Sequence, residues 1–212
     1  MDLEKIKKES ETIVLQNGGK ICDWLPHIET NKTTRSNEEV INRALILNAL
    51  LNIYFQAPIH IIKGWIEQYN LTEYLSVSEK ELLNKKNNEL TEQEKINIYW
   101  FIESLWALMW AGNLINDLPI DKCVEDRMAK LCPNLEKGED DAKFRKKIKI
   151  RSKDELYQKL DLYYRAHWYT EDGRLNSYPT GSISGDIIME RRKALEWVND
   201  NELDWDDISM DT

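Results

Sequence analysis

Apolar positions along this chain gather into helical blocks set apart by polar punctuation, and the punctuation is more regular than the blocks. Ser36-Asn-Glu-Glu39 is a capping box, in which a serine hydroxyl and a glutamate three residues on satisfy each other's backbone N–H groups. It predicts a helix through V-I-N-R-A-L-I-L-N-A-L-L-N-I-Y-F to about Gln56. Pro58 suits the first turn of a second helix ending near Asn70. Ser78-Glu-Lys-Glu81 predicts a short polar helix, and Asn84 to Glu89 a loop. Thr91-Glu-Gln-Glu94 opens the most apolar helix, which ends at Gly112-Asn113, a pair suited to a left-handed C-terminal cap. Residues 116–142 read as irregular with a helical turn around Glu125 to Leu131. Ser152-Lys-Asp-Glu155 starts a helix to about Glu171, and a Pro/Gly/Ser loop over Asn176 to Gly185 precedes a last helix from Asp186 to Asn199.

Two regions read as β structure, a hairpin and an edge strand. Thr12 to Leu15 and Lys20 to Trp24 flank Asn17-Gly18-Gly19, which suggests a small hairpin. Lys147-Ile-Lys-Ile-Arg151 alternates charge and β-branch with period two, an edge strand with Ile148 and Ile150 turned inward. The basic run Lys143 to Lys153 reads as a solvated edge facing the acidic residues just before it, with a phosphate-binding patch as the rival. The expected architecture is mainly α: a single-domain, bundle-like array of helices around a buried central helix, with a small β-hairpin and edge-strand component. Residues 1–34 form an N-terminal extension, and residues 35–212 one helical domain carrying a docked acidic tail.

Ile96 to Ile115 is long enough to span a bilayer. Asn97, Glu103, Ser104 and Asn113 interrupt it and no basic cluster flanks it, so a buried helix is expected and no membrane partner. Cys22, Cys123 and Cys132 form no CxxC pair, and the charged N-terminus lacks an apolar signal core, which together predict a cytoplasmic protein with free thiols. The three histidines show no metal-ligand spacing, the acidic tail lacks the glycine and terminal glutamate of an EF-hand, and no phosphate or dinucleotide fingerprint occurs. No metal and no cofactor is expected.

Charge sharpens the picture. The 212 residues carry a formal net charge of −9, which argues against nucleic acid as a partner. Most of it is concentrated in the tail, where Asp200, Glu202, Asp204, Asp206, Asp207 and Asp211 stand without a lysine or arginine. Inside the apolar helices, Arg43 and Glu103 each need a partner, because a lone buried charge costs several kcal/mol. They are expected to pair with each other or with the charged set of Leu160 to Asn176. There Asp161, Tyr164, Arg165 and Trp168 share one helical stripe, with Asp161 placed to pair with Arg165, and His167 lies beside it within reach of Glu171. A carboxylate that orients a histidine is half of a general-base arrangement, although such pairs are common on ordinary helix surfaces.

The blocks R-S-N-E-E-V-I-N-R-A-L, L-T-E-Q-E-K-I leading into E-S-L-W-A-L-M-W-A, D-L-Y-Y-R-A-H-W, I-M-E-R-R-K-A-L-E-W and D-W-D-D-I-S-M-D-T occur in that order. Together they resemble a widespread bacterial family known only as a domain of unknown function, over about Arg35 to Thr212, with residues 1–34 outside the pattern. The resemblance implies no activity. It places Arg35, Arg43, Glu103, Tyr164, Arg165, His167, Trp168, Arg191, Trp197, Trp205 and Asp207 in the family pattern. An indole set among aspartates stabilises nothing if solvated, so Trp205 is expected to dock, bringing Asp206 and Asp207 against Arg165, Arg174, Arg191 or Arg192 as a clasp over the last two helices.

Three functions fit. The first is a binding or interaction module for an unidentified small molecule or protein, its ligand- or partner-contacting candidates Arg43, Glu103, Tyr164, Arg165, His167, Trp168 and Arg191. The second is an immunity or antidote-type protein holding a basic partner. The third is a hydrolase or transferase using Glu103 or His167.

Overall fold

A computed structural model of the chain describes residues 1–211; Thr212, the last residue of the tail block, lies outside them. Among the described residues there are eight α-helices and no strand. They are α1 (Leu3–Gln16), α2 (Asn37–Tyr54), α3 (Ile59–Gln68), α4 (Val77–Leu83), α5 (Glu92–Ala111), α6 (Ala142–Lys147), α7 (Lys153–Leu175) and α8 (Gly185–Asn199). Packing does not follow chain order. Contacts run α1 to α7, α7 to α8, α8 to α5, α5 to α2, α2 to α3 and α3 to α4. The middle of that series is α5, whose second half, Glu103 to Ala111, is buried throughout. With α8 on one side and α2 on the other, that half has no face left for water, which is why its sequence lacks a polar stripe.

The capping boxes at Ser36, Thr91 and Ser152 all form, each with both reciprocal hydrogen bonds. The box expected at Ser78 is displaced by two residues: Ser76 caps α4 and Glu79 returns the bond. Glu79 is buried at 2% exposure, so tertiary packing selects the frame between two overlapping serine–glutamate pairs. At the end of α5, Asn113 takes the left-handed conformation at φ 60°. Gly112 before it leaves room for Ile148, whose Cγ2 would lie 2.8 Å from any added Cβ.

The expected hairpin and the expected edge strand are both absent, and residues 20–24 are irregular and in a turn. Residues 12–15 belong to α1, capped by Asp2, and Ile6, Ser10 and Val14 form its buried face at four-residue spacing. The Asn-Gly-Gly signal is the helix's end: Gly18 sits at φ 79°, and the Gly19 amide donates to Val14 O at 2.9 Å. A Cβ on Gly19 would meet Val14 Cγ1 at 2.6 Å. A turn that reverses a hairpin and one that closes a helix call for the same residues, and one narrow apolar stripe in a charged helix leaves little to separate them. Residues 148–151 are extended but pair with no strand. The amides of Lys149 and Arg151 donate instead to Gly112 O and Ala111 O at the end of α5. Ile148 is buried and Ile150 half-buried, facing inward as the alternation requires.

Helices α2 and α5 run antiparallel. Tyr54 meets Tyr99 at one end, with ring centroids 5.0 Å apart. At the other end Asn37 accepts from the amide of Ile150, next to Arg151, which is bonded to the last carbonyls of α5. Between α5 and α6 the chain runs from Gly112 to Asp141 with one 3-10 turn (Asp126–Lys130), laid across α2 and α5. No helix among the described residues is long and apolar enough to cross a membrane.

Candidate functional site

The charged residues of the apolar helices are buried and committed to partners, but not to each other as a single set. Arg43 pairs with Glu79 of α4, Nη1 to Oε1 at 2.6 Å, and donates to Tyr74 O at 2.6 Å. Glu103 pairs with Arg191 of α8 at 2.7 Å, so the expected Arg43–Glu103 pair does not form. α5 sits between α2 and α8, and Glu103 reaches toward α8. Asp161 and Arg165 do form their pair, through two bonds of 2.9 Å, with Glu11 of α1 at 3.6 Å from the same guanidinium. His167 is buried at 3% exposure and its Nδ1 lies 2.6 Å from Nη1 of Arg192, while Glu171 stands at 4.0 Å from Nε2. An arginine has no lone pair to offer, so Nδ1 accepts and the ring is neutral. Burial, then Arg192, pushes the histidine pKa down to about 4, against a weaker opposing pull from Glu171. Tyr164 and Trp168 are half-buried, with Tyr164 lying under the Arg192 guanidinium at 4.9 Å.

The tail docks by means other than those expected. Trp205 is buried, edge to face on Trp197 at 5.7 Å, with Arg43 over it at 4.8 Å and Arg35 over Trp197 at 4.4 Å. Its carboxylates do not reach arginines. Asp206 accepts from the amide and hydroxyl of Ser78 at 2.8 and 2.7 Å, and Asp207 is exposed. The arginines take tail carbonyls instead: Arg35 bonds Leu203 O, and Arg192 bonds Asp211 O at 3.0 Å. The half-buried guanidinium of Arg35, just before α2, and the buried one of Arg192 on α8 are satisfied by main-chain oxygens without desolvating further carboxylates. Arg174 stays outside, on Glu171.

Glu103 and Arg191 do more than neutralise each other. The amide of Val124 donates to Glu103 Oε1 at 3.0 Å. Arg191 donates to Pro119 O at 2.7 Å, to Lys122 O at 2.9 Å and to the Tyr163 hydroxyl at 3.0 Å. The ion pair thus ties down the backbone of residues 119–124. On the far side, Asn48 of α2 donates to Pro133 O at 3.2 Å. Held at both ends, this segment walls a groove over α2 and α5 of about 280 Å³. Its floor is Leu51, Ile102 and Met128, and Phe55, Val124, Asp126 and Glu136 stand around its mouth. A larger depression, about 740 Å³, is a shallow charged trough on the outer face of α1.

The model of the family described as a domain of unknown function (DUF4272) matches residues 6–208. The chain belongs to that family. No curated protein and no solved structure matches it. The match begins within α1, so the DUF4272 region takes in the N-terminal helix that the motif blocks leave out. Four residues of the motif blocks, Arg35, Arg43, Trp197 and Trp205, meet in the stack under the tail, which is a packing arrangement. The groove, by contrast, draws on Asn48, Asn52, Phe55, Asp126 and Glu136, none of which sequence reasoning singled out. The one available cue is Asn48 and Asn52, polar and four apart in an otherwise apolar run. Of the seven binding candidates, Glu103 bonds a groove-lining residue, at the Val124 amide, and Arg191 holds the chain just before it at Pro119 O and Lys122 O. Among the described residues no group of three or more His, Cys, Asp or Glu side chains converges as a metal site.

Proposed function

We propose that this protein is a binding module without catalytic chemistry, and that its recognition surface is the groove between α2, α5 and residues 119–136. The observation that carries the reading is the use made of Glu103. A general acid or base must reach a substrate proton. Glu103 is 2% exposed, and its oxygens are taken by Arg191 and the Val124 amide. His167 has its accepting nitrogen on Arg192 and a pKa far below neutrality, which leaves it poorly suited to take up a proton at pH 7. Both groups named for a hydrolase or transferase are therefore occupied, while the open groove offers shape and hydrogen-bond acceptors. Free cysteines, two of the three buried, support a cytoplasmic address.

The test is a fragment library of neutral, anionic and cationic members screened against the nitrogen-15-labelled protein by NMR. Shifts clustered at Asn48, Asn52, Phe55, Val124 and Asp126 are the expected result. Hits that map to the interior around His167, or none in the groove, overturn the reading.

A further inference from the structure

Resting on the binding-module reading, we infer that the groove accepts an arginine- or lysine-bearing segment of a partner protein, one cationic side chain entering it and the neighbouring residues lying on an adjoining aromatic strip. Size comes first. Pockets for small molecules and cofactors occupy about 300–1,000 Å³. At about 280 Å³ this groove lies at the lower edge of that range, a size that suits one long side chain. Its floor of Leu51, Ile102 and Met128 matches the alkyl stem of such a side chain, which buries its methylenes and carries the charge toward water.

The polar groups at the mouth specify the charge. Asn52 donates its amide nitrogen to Asn48 O at 2.7 Å, and Asn48 donates its own to Pro133 O. Because both partners are carbonyls, the nitrogens are fixed and both side-chain oxygens are left to an occupant. Asp126 and Glu136 have no cationic partner among the described residues, while Glu125 is paired with Arg127 at 2.6 Å. No lysine or arginine lines the groove. A donor-rich cation answers this arrangement and an anion does not.

The strip supplies the rest of the contact. Phe55 is 64% exposed and touches Tyr54 with centroids 5.3 Å apart, Tyr54 touches Tyr99, and Tyr99 touches Trp100 at 5.7 Å. Ile96 is also exposed on this part of α5. Contiguous exposed aromatics mark interaction surfaces, and their faces attract further cations. The net charge of −9 favours the approach of a basic partner.

The probes are a short synthetic peptide of arginine, glycine and tyrosine residues, its twin with citrulline for arginine, and free spermidine. Each is titrated into the intact labelled protein by NMR, with affinities followed by fluorescence anisotropy or competition. The arginine peptide is expected to saturate, shifting the side-chain amides of Asn48 and Asn52 and the backbone amides of Phe55 and Tyr99. The citrulline twin and the D126N/E136Q variant should each weaken it about tenfold, and F55S should weaken it without changing its salt dependence. Asp126 and Glu136 are exposed, so circular dichroism should find D126N/E136Q folded. Equal binding by the citrulline twin overturns the cationic partner and leaves the binding module standing. Spermidine competing as tightly as the peptide overturns the protein segment in favour of a free polyamine. Self-association through the strip, seen by sedimentation, or shifts confined elsewhere, overturn the inference outright.

Discussion

Glu103 of α5 and Arg191 of α8 meet at 2.7 Å in the interior, and both also bond the main chain of residues 119–124, with Arg191 donating to the Tyr163 hydroxyl besides. A pair sealed this well contributes little net stability over well-packed apolar residues, because desolvation offsets the attraction. Removing one partner is different. Glu103→Ala strands a buried guanidinium and should cost about 3–5 kcal/mol in urea unfolding. The double replacement E103L/R191M should recover a large part of that loss. Val124 should nonetheless exchange its amide hydrogen faster in the double variant, since the groove wall has lost its anchor. Protection at Val124 unchanged from wild type would show that the wall holds itself.

Asp206 and Asp207 are adjacent in sequence and opposite in use. Asp206 accepts two hydrogen bonds from Ser78, which hold its pKa below the ordinary aspartate value despite partial burial. Asp206→Ala should cost about 1 kcal/mol, and Ser78→Ala should lose part of the same interaction, so that the double variant is less destabilised than the sum. Asp207→Ala should stay within about 0.5 kcal/mol of wild type. Additive losses at Ser78 and Asp206 would refute the contact.

Trp205 is the tail's main anchor, buried between Trp197 and the Arg43 guanidinium. Trp205→Ala should cost about 3–5 kcal/mol, the usual range for emptying a core aromatic site. At this chain length that is a fall of roughly 6–20 °C in melting temperature. Deleting residues 203–212 should lower it at least as far, since the carbonyls of Leu203 and Asp211 that satisfy Arg35 and Arg192 leave as well. A tail variant that melts like wild type would mean the clasp is ornamental in solution.

Local chemistry explains why some of this was legible in the sequence. A capping box is a complete hydrogen-bond exchange within four residues, and Ser36, Thr91 and Ser152 announce their helices without help from the rest of the fold. The i,i+4 pair of Asp161 and Arg165 is legible for the same reason. Trp205 was readable as docked because an indole among aspartates has no local explanation. Partners across the fold were not readable. Arg43 finds Glu79 rather than Glu103 because α5 faces α8 with that side, and the packing order α8–α5–α2 is written nowhere in the local pattern. The groove lies further out of reach still, since its wall is an irregular segment placed by Glu103, Arg191 and Asn48 acting on backbone atoms that have no sequence signature.

His167 gives the protein a sign-definite response to acid. Its folded pKa of about 4 lies below the ordinary 6.5, so the unfolded chain binds its proton first as pH falls. The stability it contributes is whole above pH 6.5 and is lost progressively between 6.5 and 4, by at most about 3 kcal/mol at 1.36 kcal/mol per unit. Two carboxyls act in the other direction: burial raises the pKa of Glu190 and Glu196, so acid relieves them. The wild-type profile alone therefore mixes opposing contributions. A difference measurement isolates the histidine. His167→Asn places an amide oxygen near the position of Nδ1, keeps an acceptor for Arg192 and removes the titration. It should be less stable than wild type at pH 7, because the smaller side chain leaves a void, and the gap should narrow steadily as pH falls from 6.5 to 4. Guanidinium unfolding of both proteins across that window reads the gap directly. A constant gap would mean that His167 ionises as it does in the unfolded chain, and the neutral ring accepting from Arg192 would be wrong.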